Sequence, residues 1–253
     1  LFALQSLGLT GNQVASLSTS AIRSLEYLQL NQFSTDQIKS LTTSQMAVLT
    51  SDQINQLSTE NFKAITTADL ASLKTDTIRA LCPTQISNLT TEQIKSLSSG
   101  QITALQSTQI SYLSSDQLAS LPTSNIAVLR TDQVLAIGPD QIGGLTTAQI
   151  QALTTDAVRS LLSSQLGSLG TDQFKALTAS QVNALTSDQL NGLSANSLQA
   201  IDATDIATIN SPIIGNLNTN QISNLTTAQI TALTNAQLRS LTTAQLDSFS
   251  IDQ

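Results

Sequence analysis

The sequence predicts an all-α fold: an α-solenoid, or superhelix, of short two-turn helices with one helix in each eight-residue repeat. Three observations carry this expectation. An octapeptide close to Leu-Thr-Thr-Asp-Gln-Ile-Lys-Ser runs without insertion or deletion through all 253 residues. Its apolar residues are spaced three and then five apart. A helix-start signature falls at the same place in octad after octad.

The period comes first. When each residue is given a slot by its remainder on division by eight, slot one is Leu, Ile or Phe at all 32 occurrences, from Leu1 to Phe249, and slot six is apolar from Val14 to Leu246. Unbroken phase of this kind marks an array in which each unit buries its face only against neighbours. A disordered chain rich in Ser, Thr, Gln and Asn would have no physical reason to hold two apolar slots in register. We therefore read residues 1–253 as one continuous octapeptide-repeat solenoid, a fragment of a longer array, since the chain opens on Leu1 and stops inside an octad at Gln253.

The spacing decides between strand and helix. Three and five are both odd, so a continuous strand would place Leu41, Met46 and Leu49 on alternating faces, whereas a step of three puts Ile38 and Leu41 on one side of a helix. One uninterrupted helix is excluded because eight residues advance about 800 degrees, which would wind the apolar stripe around the axis. The helix must break once per octad.

Thr42 in Leu41-Thr42-Thr43-Ser44-Gln45-Met46 is placed to cap a helix, Gln45 three residues on can bond back to it, and Leu41 can staple onto Met46. Gln holds that third position, slot five, in 23 of 32 octads, with Asn61, Asn125, Asp69 and Asp205 among the departures. Capping is the sufficient explanation of the column; a ladder of amides presented to a ligand is the functional alternative. Pro83, Pro122, Pro139 and Pro212 all fall in slots two to four, where no amide donor is yet required. Slot two is the expected cap, moving one residue later where Lys74, Arg130 or Leu162 occupies it.

Charge follows the same grid. Twelve of 17 acidic residues lie in slot four and eight of ten basic residues in slot seven, the two ends of a short helix dipole. Asp36 with Lys39, Glu60 with Lys63, Asp76 with Arg79, Glu92 with Lys95, Asp156 with Arg159 and Asp172 with Lys175 are candidate i,i+3 pairs. Slot eight is mostly Ala, Ser or Gly, which points to close approach of adjacent helices. Acids forty apart, at Asp36, Asp76, Asp116 and Asp156 and again at Asp52, Glu92, Asp132 and Asp172, suggest five octads per superhelical unit, in a spiral of either hand.

Composition narrows function by exclusion. The chain is 40% hydrophobic, 11% charged and 3% aromatic, so its core must be Leu and Ile. It has no His or Trp, which removes imidazole bases, His-liganded metals and most catalytic triads. Carboxylates recur singly at helix starts, and the ten glycines never form a phosphate loop. We therefore expect no catalytic, cofactor-binding or metal-binding residue, and no enzyme. A net charge of −7 with ten dispersed basic residues argues against nucleic acid. The long uncharged span after Asp205 is too polar for a transmembrane segment. Cys82 stands in for a slot-two hydroxyl. The sequons at Asn88 and Asn224 arise from the repeat grammar, in which Thr commonly follows the slot-one Leu.

The rhythm of Leu145-Thr146-Thr147-Ala148-Gln149-Ile150-Gln151-Ala152-Leu153 resembles short-period Leu/Thr/Gln-rich repeat tracts of very large secreted or surface proteins of bacteria, adhesin-like proteins among them. The resemblance covers the whole chain and rests on rhythm. It implies an extracellular or cell-surface location and a non-enzymatic stalk, fibre or adhesive surface. The leading expectation is a structural module that associates with further copies or repeats, because terminal octads leave residues such as Leu4, Leu7 and Phe249 without a neighbouring turn. The alternative is a multivalent binding module whose Thr, Gln and Asn columns recognise glycan, mineral or ice. Lys39, Leu135, Gln151 and Arg239, in the variable slot seven, are where a ligand would be read.

Overall fold

A computed structural model describes residues 8–253; Leu1, Leu4 and Leu7 lie outside the described residues. Thirty helices are found among those residues, from Gly11–Ala15 to Thr243–Leu246, and every one begins in slot three. No strand is present among them. The chain clusters into two compact units, Leu1–Val128 and Leu129–Gln253. Each is a stack of short helices in which one helix packs against the third helix along, as Thr75–Arg79 does on Ser99–Ala104 and Thr155–Ser160 on Ala179–Ala184.

The helices are shorter than the expected two turns. They run from four residues, as in Thr43–Met46, to six, as in Thr91–Ser96, which is one to under two turns at 3.6 residues each. The break is made by slot one. In the six-residue helices Leu or Ile at that slot swings into extended backbone, as Leu97 does at φ −65° and ψ 130°. No described residue, glycine included, has a positive φ. Reversal therefore needs no left-handed residue, which explains why the repeat carries no glycine column.

Each helix is too short to hold itself together, so burial must come from stacking. Slots one, five and six are buried and slots two, three, four and seven face outward, as Leu97, Gln101 and Ile102 show against Ser98 and Gly100. The two apolar slots point in opposite directions along the stack. Slot six is fully buried from Val14 to Ile222, but with fewer than 28 residues after them Leu238 and Leu246 are 37% and 45% exposed. Slot one behaves in reverse: Leu9, Leu17 and Leu25 are half-buried, whereas Leu233 and Leu241 are buried. Slot six packs on the turn that follows, slot one on the turn before.

Slot two is the N-cap in every described helix. Lys74, Arg130 and Leu162 occupy it with extended backbone like the rest, so the cap does not move one residue later. Pro83 and Pro139 take the first helical position, Pro212 the second, and Pro122 the cap itself.

Candidate functional site

The repeated chemistry of this chain is concentrated in slot five. The expected capping bond is present: the backbone N–H of Ser98 donates to Gln101 Oε1 at 2.9 Å. The same amide does more. Gln101 Nε2 donates to the carbonyls of Leu73 at 2.9 Å and Leu70 at 3.0 Å, 28 and 31 residues earlier. In the second unit Gln181 Oε1 accepts from Thr178 N–H at 2.9 Å while its Nε2 donates to Leu153 and Ile150 at 2.7 and 2.8 Å. One primary amide has an acceptor oxygen and two donors, and each end has a different task. Oxygen closes its own helix start and nitrogen ties that helix to the turn below.

The 28-residue reach fixes the superhelical turn at three and a half octads of eight. It corrects the five-octad unit suggested by acids forty apart. Those acids sit in exposed slot four and take no part in stacking, so their spacing carries no information about pitch.

Two of the departures in slot five are compensated locally. Asn61 and Asn125 are one carbon shorter, and each keeps the inter-turn bond, to Phe33 O at 3.0 Å and Leu97 O at 2.8 Å. Neither closes its own cap. At Pro122 there is no N–H to close. At Ser58 the N–H is taken by Asn31 Oδ1 from the preceding turn at 2.8 Å. Asn55 and Asn191 do the same for Cys82 and Asn218, at 2.9 and 2.8 Å. Asn191 thereby leaves Gln221 Oε1 buried and without a partner. These slot-seven amides also donate forward, Asn55 to Ala80 O at 2.7 Å. Sequence reasoning read slot seven as a free outer surface and missed this role; four asparagines in one slot were the available signal, although the fourth, Asn183, leaves its Oδ1 buried and without a partner.

Close approach falls between slot seven of one turn and slot eight of another. A Cβ on Gly143 or Gly215 would stand 2.8 and 2.7 Å from the carbonyls of Ser168 and Ser240, inside any tolerable contact. Slot-eight hydroxyls join the seam as well: the single O–H of Ser240 is shared between Gln237 O at 2.6 Å and Ser211 O at 2.9 Å, 29 residues back.

The outer face is sparsely organised. Lys39, Leu135, Gln151 and Arg239 are exposed. Of the six expected i,i+3 pairs, Lys39 with Asp36 at 3.8 Å and Lys95 with Glu92 at 2.9 Å are closed. An unforeseen one joins Arg130 to Asp132 through two 2.9 Å contacts, and the guanidinium holds the Asp132 carboxyl below its usual range. Among the described residues no group of three or more His, Cys, Asp or Glu could hold a metal ion, and no helix is long and apolar enough to cross a membrane. Cys82 is a free thiol, half-buried, its Sγ against Gln85 Oε1. Asn88 is half-buried and donates to Thr84 O at 2.8 Å.

A family described as the ALTTAQ repeat matches residues 22–59, 62–99, 115–147, 135–171, 145–179 and 163–195, together more than half of the chain. The chain belongs to the ALTTAQ repeat family. Its six-letter signature maps onto the geometry just described: slot-eight Ala at the seam, slot-one Leu, the Thr cap, two outward residues and the slot-five Gln. In this ALTTAQ array Leu145-Thr146-Thr147-Ala148-Gln149 is such a stretch. No curated protein matches the chain.

Proposed function

We propose that this chain is a non-enzymatic structural module, an extended repeat array that spaces or builds a cell-surface fibre, stalk or adhesin in the extracellular space. The observation that carries the reading is uniformity. The same amide clamp recurs from Gln37 to Gln253, so length can be set by repeat number with no site depending on a unique residue. Self-association is part of the reading. Negative-stain electron microscopy of the purified chain, with sedimentation on the same sample, tests this. Rods or fibres whose length grows with concentration support it; monodisperse single chains at all concentrations overturn the assembly.

A second reading is favoured by the exposure of slots two and three, whose Thr and Ser hydroxyls repeat along both units. They would contact glycan, mineral or ice through many weak contacts. The Gln column has no part in such binding, because it is buried and bonded at both ends. A screen of glycans, mineral surfaces and ice in which the folded chain bound nothing would remove this reading.

A further inference from the structure

Seven of the nine slot-five departures carry no amide, and two of those seven carry a carboxyl. Asp69 and Asp205, one in each unit, stand where Gln elsewhere donates to the turn below. Asp69 is 3% exposed. Its Oδ2 accepts from Thr66 Oγ1 at 2.6 Å and its backbone N–H donates to the same hydroxyl at 3.2 Å. An ionised carboxylate has no hydrogen to donate, so it supplies no bond to the slot-one carbonyl 28 residues back, Leu41 O. Asparagine has the same shape, and Asn61 and Asn125 in the same slot do reach that carbonyl's equivalents, at 3.0 and 2.8 Å. A protonated aspartic acid combines the reach of Asn with an O–H donor.

We propose that Asp69 is a proton-operated clamp between turns: on protonation it donates to the slot-one carbonyl below, Leu41, and the solenoid tightens in acid.

The surroundings isolate the carboxyl of Asp69. Its helix, Thr67–Ser72, packs on Thr43–Met46, which carries no charge, and on Thr91–Ser96, whose Glu92 and Lys95 are exposed and paired with each other. The octad just before Leu41 contributes Asp36 and Lys39, also exposed and paired. The octads on either side in sequence place Glu60, Lys63, Lys74, Asp76 and Arg79 on outward slots. Burial raises the Asp69 carboxyl above its ordinary range and the Thr66 hydroxyl opposes it.

The sign follows from linkage. A carboxyl whose folded pKa is raised binds its proton more tightly in the folded chain, so stability grows as pH falls through the folded pKa and stops growing below the unfolded one, near 3.8. Asp69→Asn in the full chain removes the switch while keeping the donor. Thermal unfolding at pH 7 should rise by about 2–4 °C over the native sequence, and the gap should close as pH is lowered towards 4. Asp69→Ala, which cannot donate, should fall below the native sequence in acid. Carboxyl ¹³C titration should show Asp69 ionising above the exposed slot-four aspartates. A difference between Asp69→Asn and the native chain that is independent of pH, or an Asp69 carboxyl that titrates with the exposed ones, overturns the proposal.

Discussion

The stretch from Asp36 to Lys95 carries charge in most octads, whereas the stretch between Asp205 and Arg239 carries none. Their interiors are nevertheless alike. Gln93 takes Thr90 N–H at 2.9 Å and donates to Ile65 O at 2.9 Å; Gln229 takes Thr226 N–H at 2.9 Å and donates to Ile201 O at 2.8 Å. Ile94 and Ile222 are both completely buried. Charge thus varies while the Gln clamp and the buried slot six stay the same, which assigns the fold to apolar stacking and amide clamps and leaves the ions to solubility.

That comparison can be broken most forcefully at the core. Ile94→Ala and Ile222→Ala should each cost about 2–5 kcal/mol in urea unfolding, with neither region favoured. A much smaller loss at Ile222 would mean that the uncharged stretch is held differently. Removing the clamp comes next. Gln93→Ala and Gln229→Ala each strand a cap N–H and a buried slot-one carbonyl, at about 1–3 kcal/mol per group left unpaired. The two losses should again agree. Thr90→Ala and Thr226→Ala remove only the hydroxyl that accepts from the slot-five N–H, at 3.2 and 3.1 Å, and should cost about 1 kcal/mol.

The comparison also shows what a linear reading can reach. Phase, helix starts and the Thr-to-Gln cap are local, spanning at most three residues, and they were legible at Thr42 and Gln45. The partner of Gln45 Nε2 is Leu17 O, 28 residues away. The partner always falls in slot one, but nothing local in the repeat says in which octad; the distance is set by how short helices pack side by side. The burial of slot five followed from the same hidden contact, as did the work of Asn31, Asn55 and Asn191 in a slot that otherwise faces solvent. The forty-residue spacing of acids misled for the opposite reason: it is a real regularity of the sequence in positions that touch nothing. Helix length was overestimated because slot one, expected to continue the apolar face, leaves the helix instead.

The smallest expected effects belong to the charges, and they sharpen the contrast by being small. Glu92→Gln opens an exposed contact with Lys95, and its loss should be under about 0.5 kcal/mol and vanish in high salt. Placing an equivalent pair in the uncharged stretch, Ala228→Glu with Thr231→Lys, should change stability as little, since both slots are outward. Arg130 and Asp132 give the most sensitive reading. Their contact lowers the Asp132 carboxyl, so any stability it adds is present above the unfolded pKa and is lost as pH falls through the lowered one, opposite in sign to Asp69. Arg130→Gln should return Asp132 to the range of its exposed neighbours in a ¹³C carboxyl titration while leaving the Gln133 contact to the residue-130 N–H intact. A cap that opened with the ion pair would show that charge does reach the seam.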